Sequence, residues 1–351
     1  MTRSLLRVGI AGYGVVGKRR RSVLAAHPDV VTVAVSDIKF GSDRRDNDGT
    51  HIHCTYPSLF EHDLDVLFVS LPNDLAAEAT ISGLNHGLHV FCEKPPGRTV
   101  EDIRLVREVE ALHPHLKLKY GFNHRYHQSI KEAKALIDGG EYGSVINLRG
   151  VYGKSRIIPF SGGWRSQRAV AGGGILLDQG IHMLDMLRHF GGEFTEVKSF
   201  VSNSYWRHDV EDNVFAIMRT DSGCIASIHS TATQWRHKFR LEITLQEAVV
   251  ELTGILSGSK SYGEEKLTLI VREDESTSGS FREETTLYLE DSSWHDEVFE
   301  FVDLVLEDRS VENGCSEQAL GVMELVYSIY HADDPWRRQW EIANPMEGNE
   351  S

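Results

Sequence analysis

The densest chemical signal lies in residues 172–185, where three consecutive glycines lead into a segment that carries Asp178 and His182. Residues four apart share one face of an α-helix, so the carboxylate can orient the imidazole and stabilise its protonated form. Such a pair is suited to take the proton of a secondary alcohol. Two other interpretations stay open: a helix-face pair with a structural role only, and a metal site that includes Asp185.

A second charged pair ends an apolar strand. Residues 90–96 (VFCEKPP) place Glu93 and Lys94 at the carboxyl end of that strand, where open α/β sheets bind their ligands. The two prolines that follow hold Lys94 in an extended segment. Its ammonium could hydrogen-bond a substrate hydroxyl or stabilise the alkoxide. The alternative is a surface lysine paired with Glu93.

Gly12, Gly14 and Gly17 form the pattern G-x-G-x-x-G between a predicted strand and a predicted helix. In that context the pattern is typical of a dinucleotide-binding turn. The first glycine permits a tight turn, the second lets the backbone approach a pyrophosphate, and the third allows close packing of helix on strand. Phosphates would bind the N–H groups at the helix N-terminus, where Val15 and Val16 lie. The alternative is a glycine-rich turn without a ligand.

Asp37 lies 20 residues after Gly17, at the end of the second predicted strand. A carboxylate there accepts hydrogen bonds from the adenosine ribose and repels a 2′-phosphate, which favours NAD over NADP. NADP stays open as a cofactor, because Lys39, Arg19 and Arg20 could neutralise a phosphate. The predicted cofactor-binding residues are Gly12, Gly14, Val15, Val16, Gly17, Asp37, Ser70, Pro72, Asn73, Glu93 and Lys94.

The predicted secondary structure that positions these residues differs before and after Phe122. Before that point, apolar strands alternate with helices of ordinary length, which predicts a doubly wound parallel sheet. After it, eight strand-like runs separated by turn signals predict one open, mainly antiparallel sheet. We therefore divide the chain into a nucleotide-binding domain (1–122), an α/β domain for substrate binding and oligomerisation (123–340) and a disordered tail (341–351). The predicted strands cover 7–11, 30–35, 65–71, 88–92, 117–122, 145–151, 196–201, 213–219, 224–230, 239–245, 248–252, 267–271 and 285–289. The predicted helices cover 19–26, 75–85, 100–112, 127–137, 174–190, 296–307 and 315–331.

Composition excludes several classes of function. The chain has 351 residues, 37 Lys and Arg, and 52 Asp and Glu, for a net charge of −15. Such a charge argues against a nucleic-acid binder, and no apolar run reaches the roughly 18 residues of a membrane span. The chain begins directly with a strand pattern, so we expect no signal peptide. The scattered cysteines suit reduced thiols in a cytoplasmic protein, and they are Cys54, Cys92, Cys224 and Cys315.

The charge is unevenly distributed along the sequence. Residues 1–122 are neutral, residues 123–240 carry a net +4, and residues 241–351 carry a net −19. The basic middle segment indicates either an anion-facing cleft or uneven solvation of the surface.

Together these motifs resemble the Gfo/Idh/MocA family, the group of glucose–fructose oxidoreductase, inositol dehydrogenase and rhizopine catabolism. The resemblance runs from Val8 to about Tyr330 and includes the stretch 121–126 (GFNHRY) at the domain junction. It implies a Rossmann domain followed by an α/β domain, with His182 as acid/base, Asp178 orienting it and Lys94 assisting at the reacting hydroxyl. Two departures are visible, and neither removes a catalytic group. Leu75 and Ala76 stand where members often have a histidine, and Pro96 stands where leucine is common.

We therefore expect an enzyme that transfers a hydride between NAD and a secondary hydroxyl or carbonyl, with the reactants in the cleft between the domains. The family implies a sugar, a polyol or a sugar derivative. The alternatives are a glycoside hydrolase that uses NAD transiently and a non-catalytic NAD-sensing regulator on the same fold.

Aromatic and guanidinium side chains of the middle segment suit a sugar ring and an anion, which favours an acidic or nucleotide-activated sugar. The predicted substrate residues are Arg125, Tyr126, Arg156, Trp164, Arg165 and His182. The open sheet would leave an apolar face, so we expect a homodimer or homotetramer. His51 and His53 beside Cys54 have the spacing of metal ligands, but no second ligand cluster follows, and we predict no metal.

Overall fold

The computed structural model describes residues 5–157, 163–257, 261–273 and 279–346. It divides into two compact units, one of residues 1–122 and 294–320 and the other of residues 123–293 and 321–351. The first unit therefore includes 294–320, which the sequence division placed in the second domain. The physical reason is burial, because Val298, Phe301 and Val302 pack into the core of the first unit.

The elements follow one another along the chain in two groups. The strands are β1 (Leu6–Ala11), β2 (Val30–Ser36), β3 (Arg44–Arg45), β4 (His51–His53), β5 (Val66–Val69), β6 (His89–Glu93), β7 (Leu118–Gly121), β8 (Val145–Ser155), β9 (Phe194–Ser202), β10 (Asn213–Thr220), β11 (Ile225–Gln234), β12 (Lys238–Leu245), β13 (Ala248–Thr253), β14 (Glu265–Arg272) and β15 (Phe281–Tyr288). The helices are α1 (Val15–Leu24), α2 (Asn73–Asn85), α3 (Val100–Leu112), α4 (Gln128–Asp138), α5 (Arg168–Ala171), α6 (Ile181–Gly191), α7 (Ser293–Leu306), α8 (Ser316–Ala332) and α9 (Asp334–Trp340).

The first unit contains a seven-stranded sheet in the order β3-β4-β2-β1-β5-β6-β7. All neighbouring strands are parallel except β3 and β4. β5 is buried along its whole length, as the continuous apolar run of its sequence predicts. The carboxyl ends of β1, β2, β5 and β6 lie at one edge of the sheet, so the residues that follow them are brought together there.

The second unit contains an eight-stranded sheet in the order β15-β14-β13-β12-β8-β11-β10-β9. Its neighbouring strands are antiparallel except for β8 and β11, which are parallel. On β10 buried and exposed residues alternate strictly, so one face of this strand packs against the core and the other is open. The predicted fold class, a parallel Rossmann sheet followed by a mainly antiparallel one, is confirmed.

Several elements differ from the sequence prediction. The single helix expected over 174–190 is a π-turn (Leu176–Gly180) followed by α6. The sequence analysis missed the short strands β3 and β4 and the helices α5 and α9. Of the predicted tail, 347–351 lies outside the described residues, while Ile342 and Pro345 before it are buried. Within the described part of the chain, none of the helices has the length and apolar character needed to span a membrane.

Candidate functional site

The glycine loop has the geometry that its sequence predicts. Gly12 has φ +89°, and a Cβ there would lie 2.3 Å from the carbonyl oxygen of Ser70. A Cβ on Gly17 would lie 2.0 Å from the carbonyl oxygen of Gly12, so helix and turn approach too closely for any other residue. At Gly14, by contrast, a Cβ would meet none of the described residues within 4 Å. The loop is therefore packed at its first and third glycines and open at the second, as a pyrophosphate requires.

Asp37 is held beside this loop by its carboxylate. The N–H of Tyr13 donates to Asp37 Oδ2 over 3.0 Å, and the N–H of Lys39 donates to Oδ1 over 2.9 Å. The structure thus brings together the turn and the acidic residue that the sequence pairs as a dinucleotide site. Gly14 is the N-cap of α1, and the first turn of that helix contains no acidic residue that would compete with a phosphate. These residues fit NAD.

Arg20 is not a phosphate ligand, contrary to one interpretation of the sequence. Its side chain is only 1% exposed, with Nε 2.6 Å from Glu93 Oε1 and Nη2 2.7 Å from Glu297 Oε2. The guanidinium also stacks over the rings of Phe91 and Trp294, at 4.5 and 4.2 Å from their centroids. Burial raises the pKa of Glu297 to about 7 against the attraction of Arg20. Arg20, Glu93 and Glu297 therefore form a buried charged group that joins α1, β6 and α7.

The remaining predicted cofactor residues of this unit follow the strands. Ser70 comes after β5, and its N–H donates to the carbonyl of Ala11 over 2.7 Å. Its Oγ is buried without a hydrogen-bond partner among the described residues, which suits a hydroxyl that binds a cofactor. Pro72 is the N-cap of α2, which starts at the buried Asn73. Lys94 follows β6 and is half-buried.

In the second unit, a buried carboxylate anchors the segment that carries Asp178 and His182. Glu211 accepts hydrogen bonds from the N–H of Gly174 over 2.7 Å, from the N–H of Leu176 over 2.9 Å and from the phenol of Tyr330 over 2.6 Å. A Cβ on Gly174 would lie 2.0 Å from the carbonyl oxygen of Glu211. The close approach explains why a glycine leads into this segment.

His182 lies in a buried aromatic group. Its side chain is 5% exposed, and its ring stacks on that of His124 with 3.8 Å between centroids and 14° between planes. Nε2 of His124 lies 3.2 Å from the hydroxyl of Tyr152. Burial raises the pKa of Tyr152 well above its ordinary value, so this phenol stays neutral and can donate a hydrogen bond.

Asp178 has a partner that the sequence did not predict. Nε of Arg165 lies 3.3 Å from Asp178 Oδ1. Burial is the main cause of the raised pKa values of Tyr152 and Tyr262. The negative charge of Asp178 raises both further. The hydroxyl of Tyr262 lies 3.4 Å from Oε1 of Gln179, the neighbour of Asp178. Asp178 therefore pairs with a guanidinium, and its charge acts on two phenols that stay neutral.

The sequence analysis did not identify His124, Tyr152 or Tyr262 as site residues. His124 lies in the stretch 121–126, of which only Arg125 and Tyr126 had been assigned to the substrate. Tyr152 falls on the buried face of β8, and the alternation of that strand could have revealed it. Tyr262 lies in a loop, where no local pattern predicts its position.

Arg125, a predicted substrate residue, is buried and forms an ion pair with Asp185. Its Nε lies 2.9 Å from Asp185 Oδ2 and its Nη2 lies 2.5 Å from Oδ1, and both side chains are buried. This two-pronged ion pair fixes α6 to the turn that precedes α4. It also engages Asp185, which argues against the metal site of Asp178, His182 and Asp185. Tyr126 is buried as well, at 7% exposure.

The other predicted substrate residues take part in two cation–π contacts, each between an arginine guanidinium and a tryptophan ring. Arg156 lies over the ring of Trp235, with 3.5 Å from its guanidinium carbon to the centroid, and it also faces Tyr205 at 5.4 Å. Arg165 lies over Trp164 at 4.3 Å. Trp235 is 70% exposed, so the first pair is available to a ligand.

The fold adds one histidine to the pair His51 and His53. The sequence analysis saw no second ligand cluster after this pair, and the structure brings His62 close to both residues. His62 lies nine positions after His53, and the 3₁₀ turn between them returns the chain to β4.

Two family models match the chain. Residues 6–117 match the NAD-binding Rossmann domain of the Gfo/Idh/MocA oxidoreductases, and residues 130–251 match a C-terminal domain of the same family. The two matches correspond to the two sheets described above.

The chain is also similar to curated proteins. It is 27% identical to levoglucosan dehydrogenase of Pseudarthrobacter phenanthrenivorans in an alignment of 277 residues that covers 64% of this chain and 67% of that protein. It is 33% identical to 1,5-anhydro-D-fructose reductase of Ensifer adhaerens over 178 residues, about half of each chain (49% and 51%). It is 26% identical to inositol 2-dehydrogenase of Salmonella typhimurium over 72% of this chain and 76% of that one.

Solved structures show the same fold. A levoglucosan dehydrogenase in complex with NADH superposes with a TM-score of 0.81 at 22% identity, covering 95% of this chain and 98% of that one. A myo-inositol 2-dehydrogenase from Lactobacillus plantarum superposes with a TM-score of 0.75 over the same shares of the two chains. Sequence motifs, family models and fold agree, and the chain belongs to the Gfo/Idh/MocA family as an oxidoreductase with an NAD-binding Rossmann domain.

Proposed function

We propose that the protein is an NAD-dependent dehydrogenase or reductase that acts on a secondary hydroxyl or carbonyl of a sugar, a polyol or a nucleotide-activated sugar. The named relatives act on levoglucosan, anhydrofructose and inositol, which supports this class of substrate. The observation that carries the proposal is the group around His182, which combines an imidazole stacked on His124, an aspartate paired with Arg165 and two neutral phenols.

The first unit supplies the cofactor residues. Gly12, Gly14 and Gly17 would bind the pyrophosphate with backbone N–H groups, and Asp37 would accept hydrogen bonds from the adenosine ribose. The proposed set is completed by Val15, Val16, Ser70, Pro72, Asn73, Glu93 and Lys94, of which Glu93 also pairs with the buried Arg20. NAD, when bound, supplies the hydride acceptor or donor. A carboxylate fixed in the position of Asp37 disfavours the 2′-phosphate of NADP.

Three residues have proposed roles in the proton chemistry. His182 takes the proton of the reacting hydroxyl during oxidation and returns it during reduction. Asp178 stabilises the imidazolium that forms. Lys94 hydrogen-bonds the same oxygen and disfavours its protonation. Stacking on His124 holds the plane of the His182 ring, so the proton-accepting nitrogen keeps a fixed direction.

The guanidinium–aromatic pairs support an anionic sugar as substrate. An aromatic ring offers a flat apolar surface to the C–H face of a pyranose, and a guanidinium binds a carboxylate or phosphate through two parallel hydrogen bonds. Arg156 with Trp235, and Arg165 with Trp164, combine both groups. Arg165 also pairs with Asp178, so an anionic substrate would compete with that carboxylate for the guanidinium.

A direct test mixes the purified protein with NAD⁺ and a panel of polyols, aldoses, uronic acids and nucleotide sugars, and follows the absorbance of NADH. We expect net NADH from at least one member, with the oxidised product identified by mass spectrometry. Cleaved glycoside without net NADH would indicate the hydrolase alternative. Thermal stabilisation of the protein by NAD⁺ without turnover of any compound in the panel would indicate the alternative of a non-catalytic NAD-sensing regulator.

We also propose that the protein forms a homodimer, or a dimer of dimers, through the open face of the second sheet. Phe200, Phe215 and Ile217 are 81%, 50% and 61% exposed. Phe200 and Phe215 lie opposite each other on β9 and β10, and the ring of His229 stacks on Phe215. This apolar patch would be costly on a monomer, and burying it against a second copy removes that cost.

A further inference from the structure

Three imidazoles of the first unit converge at one edge of its sheet. His51 and His53 are two residues apart on β4 and therefore lie on the same face of the strand. His62 directly follows the 3₁₀ turn Tyr56–Glu61. One ring nitrogen of each histidine lies within 4.8 Å of the others. We refer to these residues as the three-histidine cluster.

The spacing of the rings is close to that of imidazoles on a common ion. Nε2 of His53 lies 2.8 Å from Nε2 of His62, and the ring centroids of His51 and His62 are 4.3 Å apart. Zn–N bonds of about 2.0–2.1 Å in a tetrahedron place two ligand nitrogens about 3.3 Å apart. A shift of about half an ångström therefore separates the hydrogen-bonded pair from a metal-bound pair.

The carboxylate of Asp43 determines which ring nitrogen of His53 can bind a metal ion. Nδ1 of His53 lies 3.0 Å from Asp43 Oδ2, and a carboxylate only accepts, so Nδ1 carries the proton and Nε2 carries the lone pair. The N–H of Cys54 donates to Asp43 Oδ1 over 2.8 Å and fixes the carboxylate. In metal sites, histidine ligands are oriented in this way: a carboxylate binds one ring nitrogen, and the other ring nitrogen offers its lone pair to the ion.

We propose that His51, His53 and His62 bind one divalent transition-metal ion of the zinc class, and that Asp43 is the positioning residue for His53. Three neutral imidazoles suit Zn²⁺, Ni²⁺ and Cu²⁺ better than Mg²⁺ or Ca²⁺, which prefer oxygen. Water would complete a tetrahedron, since the thiol of Cys54 donates to the carbonyl of Phe40 over 3.0 Å and is not in the ligand set.

The ion would hold the segment that connects β2 to β3. Asp37 starts this segment, and its N–H donates to the carbonyl of His53 over 3.1 Å. Asp43 lies further along the same segment and contacts His53 through its side chain. Both ends of the segment are thus attached to one ligand residue. Metal binding itself does not rest on the proposed function, so the test below can fail while the oxidoreductase proposal stands.

The test uses the full chain without an affinity tag, freed of metal with a chelator. Zn²⁺ is titrated in competition with a chromophoric chelator, and Co²⁺ is added separately to record its visible absorption. We expect one equivalent of Zn²⁺ per chain and the intense Co²⁺ bands of a tetrahedral site. His51→Ala and His62→Ala should each weaken Zn²⁺ binding by more than about 100-fold, beyond the 10–100-fold expected for Asp43→Asn. His115→Ala, which removes an exposed histidine of the same unit, should bind as the wild type does.

Wild-type protein that takes up no stoichiometric Zn²⁺ would show that the three histidines do not form a metal site, and the proposal would be wrong. Equal binding by the wild type, His51→Ala and His62→Ala would place the ion elsewhere and would overturn it as well. Circular dichroism of each metal-free variant separates loss of ligand from loss of fold. The Asp43→Asn variant keeps all three imidazoles and therefore gives a readout even if a histidine variant is unstable.

Discussion

The backbone N–H of Tyr13 donates a hydrogen bond to Asp37 Oδ2 over 3.0 Å, which fastens the carboxylate to the glycine loop. We predict that Asp37→Ala weakens NAD⁺ binding by about 10–100-fold, since hydrogen bonds to a charged group are worth about 1.5–3 kcal/mol. Discrimination against NADP⁺ should relax in the same variant. Fluorescence titration with both nucleotides measures this. Tighter binding of NADP⁺ than of NAD⁺ by the wild type would show that another residue reads the phosphate.

The buried group of Arg20, Glu93 and Glu297 predicts a pH-dependent stability. Burial raises the pKa of Glu297 from 4.5 to about 7, so the folded state keeps a proton that the unfolded state loses. This contribution is fully present below pH 4.5 and is lost as pH rises through 7. Relative to Glu297→Gln, the wild type should lose up to about 1.4 kcal/mol of unfolding free energy per pH unit in that window.

Urea unfolding of both proteins at half-unit intervals from pH 4.5 to 8 measures the difference, which should become constant above pH 7. Parallel profiles of wild type and variant across the whole range would show that Glu297 does not hold the extra proton.

Loss of the ion pair between Arg125 and Asp185 should lower the free energy of unfolding. Removing one partner leaves a buried charge, so Arg125→Met should lower the free energy of unfolding by about 3–5 kcal/mol. Arg125→Met combined with Asp185→Leu should recover much of that loss, because neither charge remains. Urea midpoints of the two variants make the comparison. A fully stable Arg125→Met variant with a raised KM would instead support a role in substrate binding.

The exposed face of β9 and β10 predicts the oligomeric state. Phe215→Lys and Ile217→Lys should shift the protein to monomers at micromolar concentration, because each places a charge in the proposed interface. Leu112→Lys is the matched control, since Leu112 is 75% exposed but lies in the other unit. Light scattering coupled to size-exclusion chromatography gives the mass. A wild-type monomer would contradict the proposal.

The sequence predicts most of the fold because its signals are local. The buried apolar strands, the glycine turn and Asp37 at a strand end are all visible within short windows. The position of α7 cannot be seen in a short window of sequence, since the packing of Phe301 against the first sheet depends on contacts between residues far apart in sequence.

The candidate site was predictable only in part, for the same reason. Asp178 and His182 are four residues apart and could be paired by helical spacing, although a π-turn replaces the first part of the expected helix. The partners that the fold adds come from distant segments: Arg165 for Asp178, His124 for His182, and His62 for His53. The ion pair of Arg125 with Asp185 was likewise not visible in the sequence, because the two residues lie 60 positions apart.

The central claim, that His182 is the acid/base, is tested most directly by measuring kcat and the Kd for NAD⁺ in His182→Ala and Lys94→Ala. General acid–base groups contribute about 10²–10⁴-fold, so His182→Ala should lose turnover on that scale while its affinity for NAD⁺ stays near that of the wild type. Lys94→Ala should also be severely impaired. Nearly full turnover by His182→Ala together with an inactive Lys94→Ala would show that the proton leaves through the lysine, and would contradict the account.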